Sequence, residues 1–323
     1  MTKPEELKIL DPACGSGHIL VYAFDLLYAI YEEEGYQPSE IPSLILTHNL
    51  YGIEIDPRAG ALSAFALTMK ARAKYRRFLR KPVQPNICVL ENVKFGVGSA
   101  KGVGSGKWQV GSKKGEIEEL PLINAINSHS SSKNDPSQPP LISEESKTGV
   151  SSMKGEIEEY MDYVGRDLFT VSLQETLRQF EEVDNFGSLI RPQVTDVDSI
   201  RARLEQVDVA GNLLLYHTHE KVLKVLRQAE FLSPRYHVVI ANPPYMGGKG
   251  MNPRLSAWVK DNYPDSKSDL FAMFIERNRE LSVKNGYSAM ITMQSWMFLS
   301  SFENLRSNLL NKTTILSMAH LGA

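Results

Sequence analysis

Short apolar runs alternate with stretches of helical spacing along the first ninety residues. Leu7 to Leu10 reads as a strand that leads into the turn Asp11-Pro12-Ala13-Cys14-Gly15-Ser16-Gly17. Beyond it Ile19, Leu20, Ala23, Leu26, Leu27 and Ile30 recur at helical intervals, which predicts an amphipathic helix ending near Gly35. A second strand is predicted over 49–55, a helix over 58–79 and a third strand over 86–90. This alternation predicts an α/β fold with a doubly wound, mostly parallel sheet covered on both faces.

The pattern then lapses. Over 94–165 Gly, Ser, Lys, Asn and Pro dominate, as in the run at 128–140, and this predicts a flexible low-complexity insertion. Lys114-Gly-Glu-Ile-Glu-Glu119 recurs as Lys154-Gly-Glu-Ile-Glu-Glu159, a short duplication or a chance likeness that carries no function. A helical insertion is expected over 166–232, with helices at 173–191 and 198–231. Strand–helix alternation returns over 233–323: a strand at 236–240, a helix at 269–281, a strand at 286–293, a helix at 302–310 and a last strand at 314–320. The chain thus divides into a cofactor half (1–93), two insertions and a catalytic half (233–323).

Composition narrows the classes. The 323 residues carry a net charge of −2, so any nucleic-acid contact has to come from local patches. One such patch is Lys70, Arg72, Lys74, Arg76, Arg77, Arg80 and Lys81, with no acid among them; a solvated helix face explains it as well as a phosphate contact. No apolar run is long enough for a membrane span, and two cysteines give no disulfide framework, which points to the cytoplasm. Cys14 reads as a packed residue, and no Cys/His spacing suggests a metal site.

Two motifs carry chemistry. In the first, Gly15 and Gly17 let a ligand approach the backbone closely, and the following helix start offers free N–H groups. By itself this fits a plain tight turn equally well. Glu54, closing the second strand, adds an acid able to accept from both ribose hydroxyls of an adenosine. A dinucleotide fingerprint is absent because Leu20 stands where its last glycine belongs, and no P-loop lysine follows. The second motif, Asn242-Pro243-Pro244-Tyr245, is more specific: two prolines directly after a buried strand stiffen the loop and fix the Pro243 carbonyl. The Asn242 side-chain oxygen and that carbonyl can accept both hydrogens of one planar amine, while Tyr245 offers a stacking face.

With these residues in view, the set DPACGSG, YGIEIDP and NPPY resembles the N6-adenine DNA methyltransferases of the γ arrangement, and more narrowly the PglX family of BREX phage-defence systems. The likeness covers about 7–95 and 230–323. It implies a Rossmann-like class I methyltransferase fold. S-adenosyl-L-methionine would be held by Asp11, Pro12, Ala13, Gly15 and Gly17, with Glu54 on the ribose and Ile55 beside the adenine. Where the family places an acid near the cofactor amine this chain has Glu91-Asn92; either could serve, and Asn92 is expected there. Asn242, Pro243, Pro244 and Tyr245 would hold an adenine flipped out of double-stranded DNA. Leu270 and Phe271 would line the cofactor pocket or serve as core, and Lys249, Arg254, Lys260 and Lys267 would meet DNA near the target. A helical segment ahead of the first motif, a last hairpin strand and a target-recognition domain are not found in these residues, so the chain reads as a fragment of low activity alone. Other proteins of a defence system are expected partners. The alternatives are a protein-glutamine or RNA methyltransferase and a DNA-binding scaffold.

Overall fold

A computed structural model describes residues 2–96, 154–165, 171–194, 196–209, 211–233 and 235–322. Five strands form one sheet: β1 (Ile9–Asp11), β2 (Leu50–Glu54), β3 (Asn86–Val89), β4 (Tyr236–Ala241) and β5 (Ser282–Met290). Their order is β3-β2-β1-β4-β5 and every pair is parallel, as the alternating pattern implies.

Neighbouring residues along β1 serve opposite faces. Ile9 joins Leu50, Leu20, Phe24 and Leu67 under the helices His18–Glu33 and Pro57–Lys74, while Leu10 joins Ile53, Val239 and Met273 on the other face. On the first helix Leu20, Ala23 and Leu27 are buried as expected. Leu26 and Ile30 are exposed, and Phe24, Tyr28 and Tyr31 take their place, so the buried stripe is rotated towards the aromatics.

The middle of the chain is less of an appendage than its composition implies. Residues 97–153, with the first copy of the repeat, lie outside the described residues. The second copy opens the helix Lys154–Val164, whose Ile157, Tyr160 and Met161 are buried in the same core as Leu10 and Val239. Helix Val171–Gln179 and the turns through Leu189 pack there too, through Leu173, Leu177, Phe180, Val183 and Phe186. The single long helix expected over 198–231 is two, Val197–Leu204 and Leu213–Phe231, because the Asn212 side chain caps the second by accepting from the Leu214 and Leu215 amides.

Two further expectations shift. β5 begins before Gly286: Ser282 pairs with Tyr236, then a bulge intervenes with Asn285 at φ 62° before Tyr287 pairs with Val238. The strand expected at 314–320 does not form. The segment finds no partner strand among the described residues, and Ile315, Leu316 and Met318 stay exposed.

Candidate functional site

β1 and β4 lie side by side with Leu10 opposite Val239. Both end at the same edge, one in the glycine turn and one in Asn242-Pro-Pro-Tyr245. Adjacent strands are about 4.8 Å apart, so the two motifs are neighbouring corners of one edge. The chain moves from β1 to β2 on one side and to β4 on the other. This divergence opens a crevice at the strands' carboxyl ends, where doubly wound sheets bind ligands.

The first corner is built by Glu54. One carboxylate oxygen accepts from the Gly15 amide at 2.8 Å, and the other from Ile55 at 2.8 Å and Asp56 at 3.0 Å. Gly17 stands at φ 84°, and a Cβ there would lie 2.5 Å from Ser63 Oγ, so both the bend and the close helix approach demand glycine. Asp11 is buried and accepts from the Ala13 amide at 3.1 Å. Burial, opposed by that amide and aided by the Glu54 charge, pushes its carboxyl up to about 7. Burial pushes the Cys14 thiol up to about 12, which suits a packed residue rather than a nucleophile. Ile55 remains 48% exposed at the strand end.

At the second corner Asn242 is exposed and Pro243 buried. The Tyr245 hydroxyl has two acceptors within reach, Asn242 Oδ1 at 3.1 Å and the Ile291 carbonyl at 3.2 Å, while its ring meets Phe271 edge-on at 6.1 Å. Tyr245 itself is 48% exposed. Phe271 is fully buried and Leu270 nearly so. Asp269 caps the helix Leu270–Leu281 by accepting from the Phe271 amide and also accepts from the Met246 amide at 3.0 Å, which ties the loop after Tyr245 to the helix start. That role was hidden, since an Asp before an apolar run signals only a cap.

Sequence reasoning also missed the wall joining the corners. The Ser188 hydroxyl donates to the Pro12 carbonyl at 2.6 Å, and a Cβ on Gly187 would lie 3.2 Å from Ile55 Cγ2. The Asp184 amide donates to Asn92 Oδ1 at 3.0 Å, and Val93 donates to the Phe180 carbonyl at 2.9 Å. On the far side Asn252 donates to Asn185 Oδ1 at 2.7 Å, and Arg254 pairs with Glu182. The segment 180–190 therefore touches the ends of β1, β2 and β3 and the loop beyond Tyr245. Arg277, 3% exposed, fixes it from below by donating to the carbonyls of Ser188, Ile190 and Leu232 at 2.7–2.9 Å. No periodicity announces these contacts, because each joins residues 45 or more positions apart.

The predicted residues are not all free for a ligand. Glu91 is turned to the Lys224 ammonium, and Asn92 Oδ1 is engaged by Asp184. Arg254 is occupied by Glu182, whereas Lys249, Lys260 and Lys267 are exposed. No group of His, Cys, Asp and Glu among the described residues is placed to hold a metal ion, and no helix there is long and apolar enough to cross a membrane.

Residues 48–323 match the family model described as Eco57I restriction-modification methylase, and residues 1–84 match the DNA-methyltransferase domain of MmeI. The adenine-specific methyltransferase BrxX of Escherichia coli O9:H4 (strain HS) is 39% identical over 99% of this chain and 24% of its own length. The adenine-specific methyltransferase PglX of Lacticaseibacillus casei (strain Zhang) is 32% identical over 98% of this chain and 22% of its own. The chain spans about a quarter of these relatives.

Proposed function

Because the chain belongs to the Eco57I restriction-modification methylase family, we propose that it forms the cofactor-binding and methyl-transferring part of an adenine-specific DNA methyltransferase, working within a larger phage-defence protein. The observation that carries the reading is the pairing of β1 with β4, which sets the glycine turn and Asn242 at adjoining corners of one crevice.

The first corner fits S-adenosyl-L-methionine. The side of Gly15 where a Cβ would project is open for 4 Å, the first turn of helix His18–Glu33 has no side-chain cap, and Ile55 leaves an apolar face exposed. Asp11, Pro12, Ala13, Gly15 and Gly17 would cradle the cofactor, with Glu54 facing its ribose and Ile55 its adenine. Asn92 keeps its amide donors for the far end, whereas Glu91 is spent on Lys224. The cofactor supplies an electrophilic methyl group on a sulfonium.

At the second corner Asn242 Oδ1 and the Pro243 carbonyl accept the two hydrogens of the exocyclic amine of a flipped adenine. Held this way, the nitrogen keeps its lone pair for the methyl carbon rather than sharing it with the ring. With S-adenosyl-L-methionine at the first corner, the amine nitrogen would take the methyl group that the sulfonium supplies, leaving a neutral thioether, and would shed one proton. Asn242 is exposed, so water can take that proton. Tyr245 stacks on the base. Its hydroxyl can release Asn242 without becoming unpaired because Ile291 offers a second acceptor.

The test offers duplex DNA, RNA and a glutamine-bearing protein to the chain with tritiated S-adenosyl-L-methionine. Label on the N6 of adenine in DNA is expected. Label found only on RNA or protein would overturn the substrate, and failure to bind the cofactor would overturn the enzyme.

A further inference from the structure

The seven cations between Lys70 and Lys81 divide into two groups. Lys70 and Lys74 turn to Asp25, at 2.5 and 3.7 Å, and Lys74 lies over the Tyr28 ring. Arg72, Arg76, Arg77, Arg80 and Lys81 have no carboxylate partner among the described residues. A helix end alone would fan these side chains outward. Here Phe78 is buried and pins a tight turn, Phe78–Arg80, that folds the chain back on the helix. Arg72, Arg76, Arg77 and Arg80 consequently line one open groove of about 510 Å³. Guanidinium groups brought together repel one another, and nothing within the described residues offsets that repulsion.

The groove is remote from the crevice. Helix Pro57–Lys74 starts beside the end of β2, and its 18 residues carry the chain about 27 Å back. Ser43, just ahead of β2, lines the adjoining hollow with Arg77, Arg80 and Lys81. The cations therefore gather at the amino ends of the strands, opposite the two motifs.

We propose that this groove binds phosphate groups of a nucleic-acid backbone, away from the base that is modified. Guanidinium forks match phosphate oxygens in pairs and stay charged at any working pH. In a chain of net charge −2, an uncompensated cluster of four arginines and a lysine concentrates the attraction in one place. The choice of nucleic acid rests on the methyltransferase reading; the capture of an anionic polymer does not.

The test measures anisotropy of a short fluorescein-labelled duplex of random sequence over about 50 to 200 mM NaCl. Three proteins are compared: the chain, its R76A/R77A/R80A variant and its R76K/R77K/R80K variant. All three side chains are exposed, so folding should be unaffected. The alanine variant is expected to bind about tenfold more weakly and to lower the slope of log K against log salt by about 2 to 3, while the lysine variant keeps the slope. Cofactor titration should give equal affinity in all three, which separates this site from the crevice. Unchanged duplex binding by the alanine variant, or no binding by the chain itself, overturns the proposal. Displacement of the duplex by polyglutamate at equal charge would point instead to an acidic protein.

Discussion

Replacing Gly187 by alanine strikes the wall between the two corners. Gly187 has φ 57° and ψ −146°, a conformation that costs a residue with a Cβ about 1–3 kcal/mol. The new methyl group would also stand 3.2 Å from Ile55 Cγ2, so Ile55 has to shift by a few tenths of an ångström. For a domain of this size 1 kcal/mol moves the melting temperature by about 2–4 °C, so a loss of about 2–12 °C is expected. Because Ile55 is the residue expected beside the cofactor's adenine ring, cofactor affinity should fall as well. Gly211→Ala is the control: its φ is outside the left-handed region and a Cβ meets nothing within 4 Å. That variant should melt at or slightly above the wild-type temperature. The assay is calorimetric titration with S-adenosyl-L-methionine beside thermal unfolding. If Gly187→Ala matches wild type in both measurements, the contact between the segment 180–190 and the cofactor corner has no functional weight.

Other perturbations read separate parts of the site. Ser188→Ala leaves the Pro12 carbonyl without its donor, at a cost of about 1 kcal/mol, and should weaken cofactor binding several-fold in the same titration. Arg277→Met strips donors from three buried carbonyls, so hydrogen exchange at amides 186–191 should accelerate; unchanged protection would show the anchor to be dispensable. Asp11, raised from an ordinary value near 3.8 to about 7, stabilises the fold most below pH 4, and that contribution is lost as pH rises to about 7. Asp11→Asn should flatten this slope in denaturant melts, and binding of a cationic cofactor to the wild type should tighten as pH passes about 7. Tyr245→Phe keeps the ring and loses the bond to Asn242, so it should methylate nearly as well as wild type, whereas Tyr245→Ala should lose most activity.

How much of this was legible in the sequence depends on how local the signal is. The turn at 11–17, the second and fourth strands to within one residue of their ends and the Asn-Pro-Pro-Tyr corner were all readable, because glycine, proline and apolar periodicity act within a few residues. The neighbouring of β1 and β4 has no local signal, because their pairing joins residues more than 200 positions apart, and the structure displays it as strand order. The segment 180–190 was not readable. Its part in the site rests on one hydroxyl, one left-handed glycine and one buried arginine, whose partners are remote in sequence. The apolar residues at 314–320 misled for the opposite reason: Ile315, Leu316 and Met318 favour a strand locally, but local preference does not state whether a strand waits beside them.

The most direct test of the shared crevice is a crystal structure of the chain with the demethylated cofactor bound. Its ribose should lie against Glu54, its adenine against Ile55, and its sulfur should face the Asn242 side chain. A ligand seated elsewhere, or one whose sulfur points away from Asn242, would contradict the account.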